Sequence, residues 1–316
     1  MKRALLIGIN DYFSNPLSGC VNDASSLSEL LEKNEDATPN FDCQLLTGDS
    51  TNIIDQSIMD ERIEALFAHE ADVVLFYFSG HGGYSDVLGG YLVSQNHQNV
   101  PMNHIISRAN SAAKEKRIKE IIIILDCCHS GAIGSNYLTG SNELAIHEGI
   151  AILTASRSTQ YSMEIGNSGV FTSLIIDALN GGAADALGNV SISSAYGYAD
   201  QALGAWDQRP LLKANLSKLT AIRKCLPKIE LTDLDTLLLF SDPFDHYMLD
   251  SSFEYTCEEA DSNNVRVFKS LQRCWAAGLV KPVGEEYMYW AAMNNKSCIL
   301  TPLGRYYWSL KQDNKI

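Results

Sequence analysis

Two strongly apolar runs constrain this chain more than any other feature: Asp72 to Phe78 (DVVLFYF) and Ile121 to Leu125 (IIIIL). A strand with so little polar alternation is buried on both faces, which calls for a parallel sheet covered by helices. The first run continues into Ser79-Gly80-His81-Gly82-Gly83, the second into Asp126-Cys127-Cys128-His129-Ser130-Gly131. In an open parallel sheet both strands end on the same edge, where ligands and chemistry collect. A histidine and a cysteine on neighbouring loops at that edge are the minimum equipment for a thiol nucleophile and its base.

Strand and helix signals alternate over roughly the first 220 residues. Arg3 to Asn10 is a continuous apolar strand. Asn22 to Leu31 spaces Ala24, Leu27, Leu30 and Leu31 as one helical face, with Asn22 or Asp23 as its N-cap. Phe41 to Leu46, Asp72 to Ser79, Ile121 to Leu125 and Gly149 to Thr154 read as further strands, and Arg209 to Leu212 begins a last one. Helices are expected over Asn52 to His69, Pro101 to Lys119, Phe171 to Leu179 and Ser191 to Trp206, with a Gly89-Gly90 hairpin between Tyr84 and Ser94. The fold class is therefore α/β: a mostly parallel six-stranded sheet with helices on both faces.

The composition shifts near Pro227, which predicts two domains, 1–224 and 228–316. Val265 to Ala277 carries a Val265/Phe268/Leu271/Trp275 stripe closed by Gly278. Leu279 to Val283 and Ser297 to Leu300 look like paired strands, and Thr301-Pro302 starts another helix. The order helix, helix, strand, turn, strand, helix resembles a winged-helix module, so the tail is expected to be a small α+β, winged-helix-like domain.

Composition removes several function classes. The 316 residues carry a formal charge of −14, which argues against nucleic acid as a partner. The tail stays acidic, with 9 Lys and Arg against 13 Asp and Glu, and its basic residues Arg266, Lys269 and Arg273 serve equally as a solvated helix face. No apolar run approaches the ~20 residues that span a bilayer, so no membrane partner is expected. The apolar stretch after Met1-Lys2-Arg3 stops at Asn10-Asp11 without a small-residue cleavage site, and the protein is read as cytoplasmic. The eight cysteines sit mostly inside apolar runs, as reduced, buried thiols do. No Cys/His spacing suits zinc, and no metal site is assigned.

Five segments in order resemble a known family: Ala4-Leu5-Leu6-Ile7-Gly8-Ile9-Asn10, Leu17-Ser18-Gly19-Cys20-Val21-Asn22-Asp23-Ala24, the histidine segment, the cysteine segment, and Gly169-Val170-Phe171-Thr172. The chain looks like a caspase-fold cysteine peptidase (peptidase family C14), closest to the metacaspases and their bacterial relatives. The resemblance implies a caspase-like three-layer sandwich. It also selects Cys128 over Cys127 through the frame Asp-x-Cys-His-Ser-Gly; by strand alternation the two cysteines point to different sides.

Cys128 is then the nucleophile. Because the thiolate attacks, it needs a base, and His81 fits that role and the later one of acid to the leaving amine. The backbone N–H groups of Gly82 and Cys128 are candidates for the oxyanion hole. A carboxylate two residues before a thiol opposes thiolate formation, so Asp126 needs another reason to be there. In metacaspases the matching aspartates line the pocket for an Arg or Lys before the cut bond, which implies that role for Asp23 and Asp126; the local alternative is that they cap a helix and a loop. Ser156, in the loop after the fifth strand, joins them as a substrate-binding candidate, and Glu164 lies further along the same loop.

The expected activity is a cysteine endopeptidase that cuts proteins after Arg or Lys, needs no cofactor, and works in bacterial stress or defence signalling, with a regulator docking on the C-terminal domain. Family members often respond to calcium, but no calcium ligands can be assigned. No Lys or Arg occurs between Lys119 and Arg157, so an enzyme of this specificity cannot cut itself there. The basic run Lys114 to Lys119 (KEKRIK) remains a cut site upstream. The alternatives are a catalytically silent caspase-like scaffold acting by protein binding, and a winged-helix regulator.

Overall fold

The structure is a computed structural model that describes residues 1–48, 52–127, 145–155, 164–165, 168–203 and 210–316. The chain divides into two compact units: Met1–Ala184 with Asn189–Leu226, and Asp185–Gly188 with Pro227–Ile316.

In the first unit the elements follow one another as β1 (Lys2–Ile9), α1 (Cys20–Glu32), β2 (Phe41–Gly48), α2 (Gln56–Ala68), β3 (Ala71–Ser79), β4 (Gly82–Ser85), β5 (Gly89–Val93), β6 (Asn99–Pro101), α3 (Met102–Lys114), β7 (Ile118–Asp126) and β8 (Ile150–Thr154). After them come β9 (Glu164–Ile165), β10 (Ser168–Gly169), α4 (Val170–Asp177), β11 (Asn189–Val190), α5 (Ile192–Leu203), β12 (Leu211–Asn215) and β13 (Arg223–Lys224). Among the described residues the main sheet has six strands in the order β12-β8-β7-β3-β1-β2. All neighbours are parallel except β12, which runs against β8.

Strand alternation sorts the core into two layers. Leu5, Ile7 and Ile9, Val74, Phe76 and Phe78, and Ile121, Ile123 and Leu125 pack with α2 and α3 on one face. Ala4 and Leu6, Val73, Leu75 and Tyr77, and Ile122 and Ile124 pack with α1, α4 and α5 on the other. The result is the three-layer α/β/α sandwich expected from the sequence. The glycine at position 8 belongs to this packing: a Cβ there would lie 2.4 Å from the Cys20 carbonyl, so only glycine lets α1 come this close to β1.

The strand order creates the site. From β1 the chain first goes outward to β2, then crosses to β3 on the other side of β1. The loops leaving β1 and β3 therefore diverge from adjacent strand ends, which opens a crevice at the carboxyl edge.

Some boundaries differ from the sequence expectation. The helix expected to reach Lys119 ends at Lys114, because Lys116 takes φ +57° and the strand begins at Ile118. Asp23 is not the N-cap of α1; Gly19 holds that position, and Asp23 lies inside the first turn.

The second unit contains α6 (Leu231–Leu234), β14 (His246–Met248), α7 (Ser262–Ala276), β15 (Val280–Val283), α8 (Met288–Met293), β16 (Ser297–Leu300) and α9 (Pro302–Gln312). Asp261 and Thr301 cap α7 and α9 through their side chains. Two elements were absent from the order read from the sequence. β14 adds a strand on β16, and α8 fills the connection read as a turn, because Met288, Ala291 and Ala292 bury against the unit's core. No helix among the described residues is long and apolar enough to cross a membrane.

Candidate active site

The base is built first. His81 follows β3, and its backbone is held by the hairpin strand β5: Val93 N–H donates to the His81 carbonyl at 2.9 Å. The reciprocal ladder bond is replaced. His81 N–H donates to the Tyr12 hydroxyl at 2.9 Å, and that hydroxyl donates to the Val93 carbonyl at 3.1 Å. Tyr12, only 2% exposed, thus inserts its phenol as a bridge in the ladder. Its ring lies 4.4 Å from the His81 ring, centroid to centroid. Burial, the main cause, pushes the Tyr12 phenol well above its ordinary pKa, so the hydroxyl keeps the proton that this bridge uses. Gly80 is needed because a Cβ would sit 2.5 Å from that hydroxyl.

The same loop fixes the imidazole. Asn15 takes φ +57°, and its carbonyl lies 2.6 Å from His81 Nε2. A carbonyl can only accept, so Nε2 carries a proton; in the neutral ring this leaves the lone pair on Nδ1. Asn10 anchors the loop at both ends. Its carbonyl accepts from Tyr12 N–H at 3.0 Å and Leu17 N–H at 2.9 Å, and its side-chain oxygen takes the Val21 N–H of the α1 first turn at 3.1 Å. Since His81 and Val93 form the bonded pair of the β4–β5 ladder, the next pair, Gly82 with Leu92, is non-bonded, and the Gly82 N–H points away from β5.

Ser79 is the register partner of Asp126. His81 comes two residues after Ser79, and Cys128 two residues after Asp126. Cys128 lies outside the described residues, as does Ser156. Cys127 is 1% exposed and belongs to the same packed cluster as Ile123 and Leu125, on the α2/α3 face. The seven described cysteines form no disulfide.

The two aspartates meet on the opposite face of the sheet. Asp23 is 1% exposed and Asp126 6%. Asp23 accepts from Gly169 N–H at 2.9 Å and from the Ser168 hydroxyl, and Asp126 accepts from the Thr172 hydroxyl at 2.7 Å. Their partners are thus far away in sequence. A Cβ on Gly169 would lie 2.5 Å from Asp126 Oδ2 and 3.1 Å from Asp23 Oδ2, so both carboxylates converge on one glycine. No group of three or more His, Cys, Asp or Glu side chains among the described residues is arranged to hold a metal ion.

Sequence reasoning missed Tyr12, Asn15, Tyr77 and Thr172. Thr172 stood in a matched segment without a role; the other three gave no local signal of what they touch.

The caspase-domain model of peptidase family C14 matches residues 1–220. The chain belongs to this family of caspase-domain cysteine peptidases. Metacaspase-1 of Ajellomyces capsulatus is 31% identical over 147 residues, which cover 42% of this chain and 41% of that protein. Metacaspase-1 of Botryotinia fuckeliana is 36% identical over 96 residues, covering 28% and 22%. The chain thus spans less than half the length of these curated relatives. Among solved structures, caspase-1 from Spodoptera frugiperda matches with TM-score 0.53 at 13% identity, covering 71% of this chain and 90% of that one. A Geobacter sulfurreducens protein matches with TM-score 0.51 at 16% identity, covering 72% and 97%. These two likenesses concern the fold, and they agree with the caspase-like sandwich read from the sequence.

Proposed function

We propose that this caspase-domain protein is a cysteine endopeptidase that cuts its protein substrate after Arg or Lys, with Cys128 as nucleophile and His81 as base. The observation that carries the reading is the Asn15 carbonyl 2.6 Å from His81 Nε2: an acceptor there calls for Nε2–H, which leaves Nδ1 as the proton acceptor. The Cys128 thiol gives its proton to Nδ1, and the Asn15 carbonyl stabilises the imidazolium that results. The thiolate attacks the scissile carbonyl, and the oxyanion is met by the N–H groups of Gly82 and Cys128. His81 then passes its proton to the leaving amine as the C–N bond breaks. Water, deprotonated by the same imidazole, hydrolyses the thioester and releases the thiol.

Asp23 and Asp126, with Ser156, form the pocket for the basic side chain. Desolvated carboxylates pair strongly with a guanidinium or ammonium. Their convergence on Gly169 supports one shared pocket. Calcium has no assigned ligands and no part in these steps.

The enzyme works as one unbroken chain. Its KEKRIK run is folded: the Arg117 guanidinium donates to the Phe67 carbonyl at 3.0 Å and the Ala68 carbonyl at 2.9 Å. A regulator docks on the C-terminal unit, where Phe244, Tyr255, Trp290 and Tyr306 are exposed, residue types that often anchor protein interfaces. The setting is bacterial stress or defence signalling, with one dedicated substrate.

The test is cleavage of fluorogenic peptides with Arg or Lys before the reporter, comparing wild type with Cys128→Ala. Cleavage by wild type alone supports the proposal; equal rates rule it out.

A further inference from the structure

Beneath the acidic pair lies a chain of buried hydroxyls that the reaction steps do not use. The Thr172 hydroxyl lies 2.7 Å from Asp126 Oδ2 and 2.8 Å from the Tyr77 hydroxyl. Thr172 and Tyr77 are both 0% exposed. A threonine has one hydroxyl proton, and with Asp126 ionised its carboxylate only accepts, so that proton points at Asp126. The Tyr77 hydroxyl must then be the donor to Thr172. Burial, followed by the facing charges of Asp126 and Asp23, holds the Tyr77 phenol well above its ordinary pKa, so the relay keeps its protons.

This direction has a consequence. Two carboxylates gathered at one glycine repel each other, which favours protonation of one of them. A hydroxyl that donates to a carboxylate opposes this by favouring the ionised form. We propose that Tyr77 and Thr172 form a one-way hydroxyl relay that keeps Asp126 ionised and aimed, making both positioning residues for recognition of a guanidinium. The inference rests on the basic-residue specificity proposed above.

The test compares peptides that carry Arg or its neutral isostere citrulline before the cut bond. For wild type, Thr172→Val, Thr172→Ser and Tyr77→Phe, the readout is the ratio of kcat/KM for the two peptides, with thermal melts to confirm folding. Thr172→Val lowers the Arg-to-citrulline ratio about tenfold, mainly through KM for Arg, the scale of one hydrogen bond to a charged group. Thr172→Ser, which keeps the hydroxyl, restores most of the ratio, and Tyr77→Phe lowers it less than Thr172→Val. A ratio unchanged by both Thr172→Val and Tyr77→Phe, with wild type still preferring Arg, overturns the relay alone. If wild type shows no preference for Arg, the specificity reading fails and the relay falls with it. Should Thr172→Val not fold, Tyr77→Phe is judged by the same ratio.

Discussion

The two halves of the site are held by different means. His81 is half-buried and depends on a loop: a phenol in place of a ladder bond and a main-chain carbonyl against its ring. Asp23 and Asp126 are buried and depend on regular elements, α1 and the end of β7, with donors from β10 and the first turns of α4. The base therefore takes its orientation from one buried phenol and one main-chain carbonyl. The acidic pair takes its orientation from the Gly169 N–H and from hydroxyl side chains in a packed core, where a single methyl group matters. Damage to the first half should appear in kcat, and damage to the second in the choice of substrate.

The largest expected effect is on the base. His81→Ala should lower kcat/KM about 10³-fold for Arg and citrulline peptides alike, the scale of a lost general base. A loss confined to Arg peptides would break the division between the halves. Next comes Gly169→Ala, whose new methyl would lie 2.5 Å from Asp126 Oδ2. Overpacking of this kind costs about 1–3 kcal/mol. Thermal melting should show that cost, and the Arg preference should fall in a kinetic comparison of the two peptides.

Tyr12→Phe keeps the ring and removes the bridging hydroxyl. It leaves the His81 N–H and the Val93 carbonyl without that partner, at a cost of about 1–3 kcal/mol. Thermal melting should show the loss, and kcat should fall while the Arg-to-citrulline ratio stays the same. Smallest is Asn15→Gly. The contact to His81 is made by the Asn15 carbonyl, a main-chain group, and glycine accepts φ +57° without strain. Activity should stay within about twofold, as for surface changes that remove no specific contact. A large loss would mean that the Asn15 side chain, not its backbone, orients the ring.

The strands were legible because apolar runs such as Ile121 to Leu125 admit almost no other burial, and the two core layers follow from alternation along them. His81 and Asp126 were legible because they end those runs. The loop partners were not. Tyr12 and His81 are 69 positions apart, and Tyr77 and Thr172 are 95 apart, so only the strand order brings them together. In the second unit β14 escaped notice because its three residues are short of apolar contrast, with His246 and Met248 exposed. Helix α8 was hidden by its aromatic residues, of which Tyr289 and Trp290 are exposed. Cys128 and Ser156, chosen from the sequence, lie outside the described residues and rest on the resemblance and on their neighbours.

The division between the halves presupposes a thiolate at Cys128 made by His81. Treatment with a peptidyl chloromethyl ketone ending in Arg, followed by peptide mapping in a mass spectrometer, tests this most directly. A single adduct on Cys128, formed by attack of sulfur with loss of chloride and nearly absent in His81→Ala, is the predicted result. No adduct, an adduct on Cys127, or full labelling without His81 would contradict it.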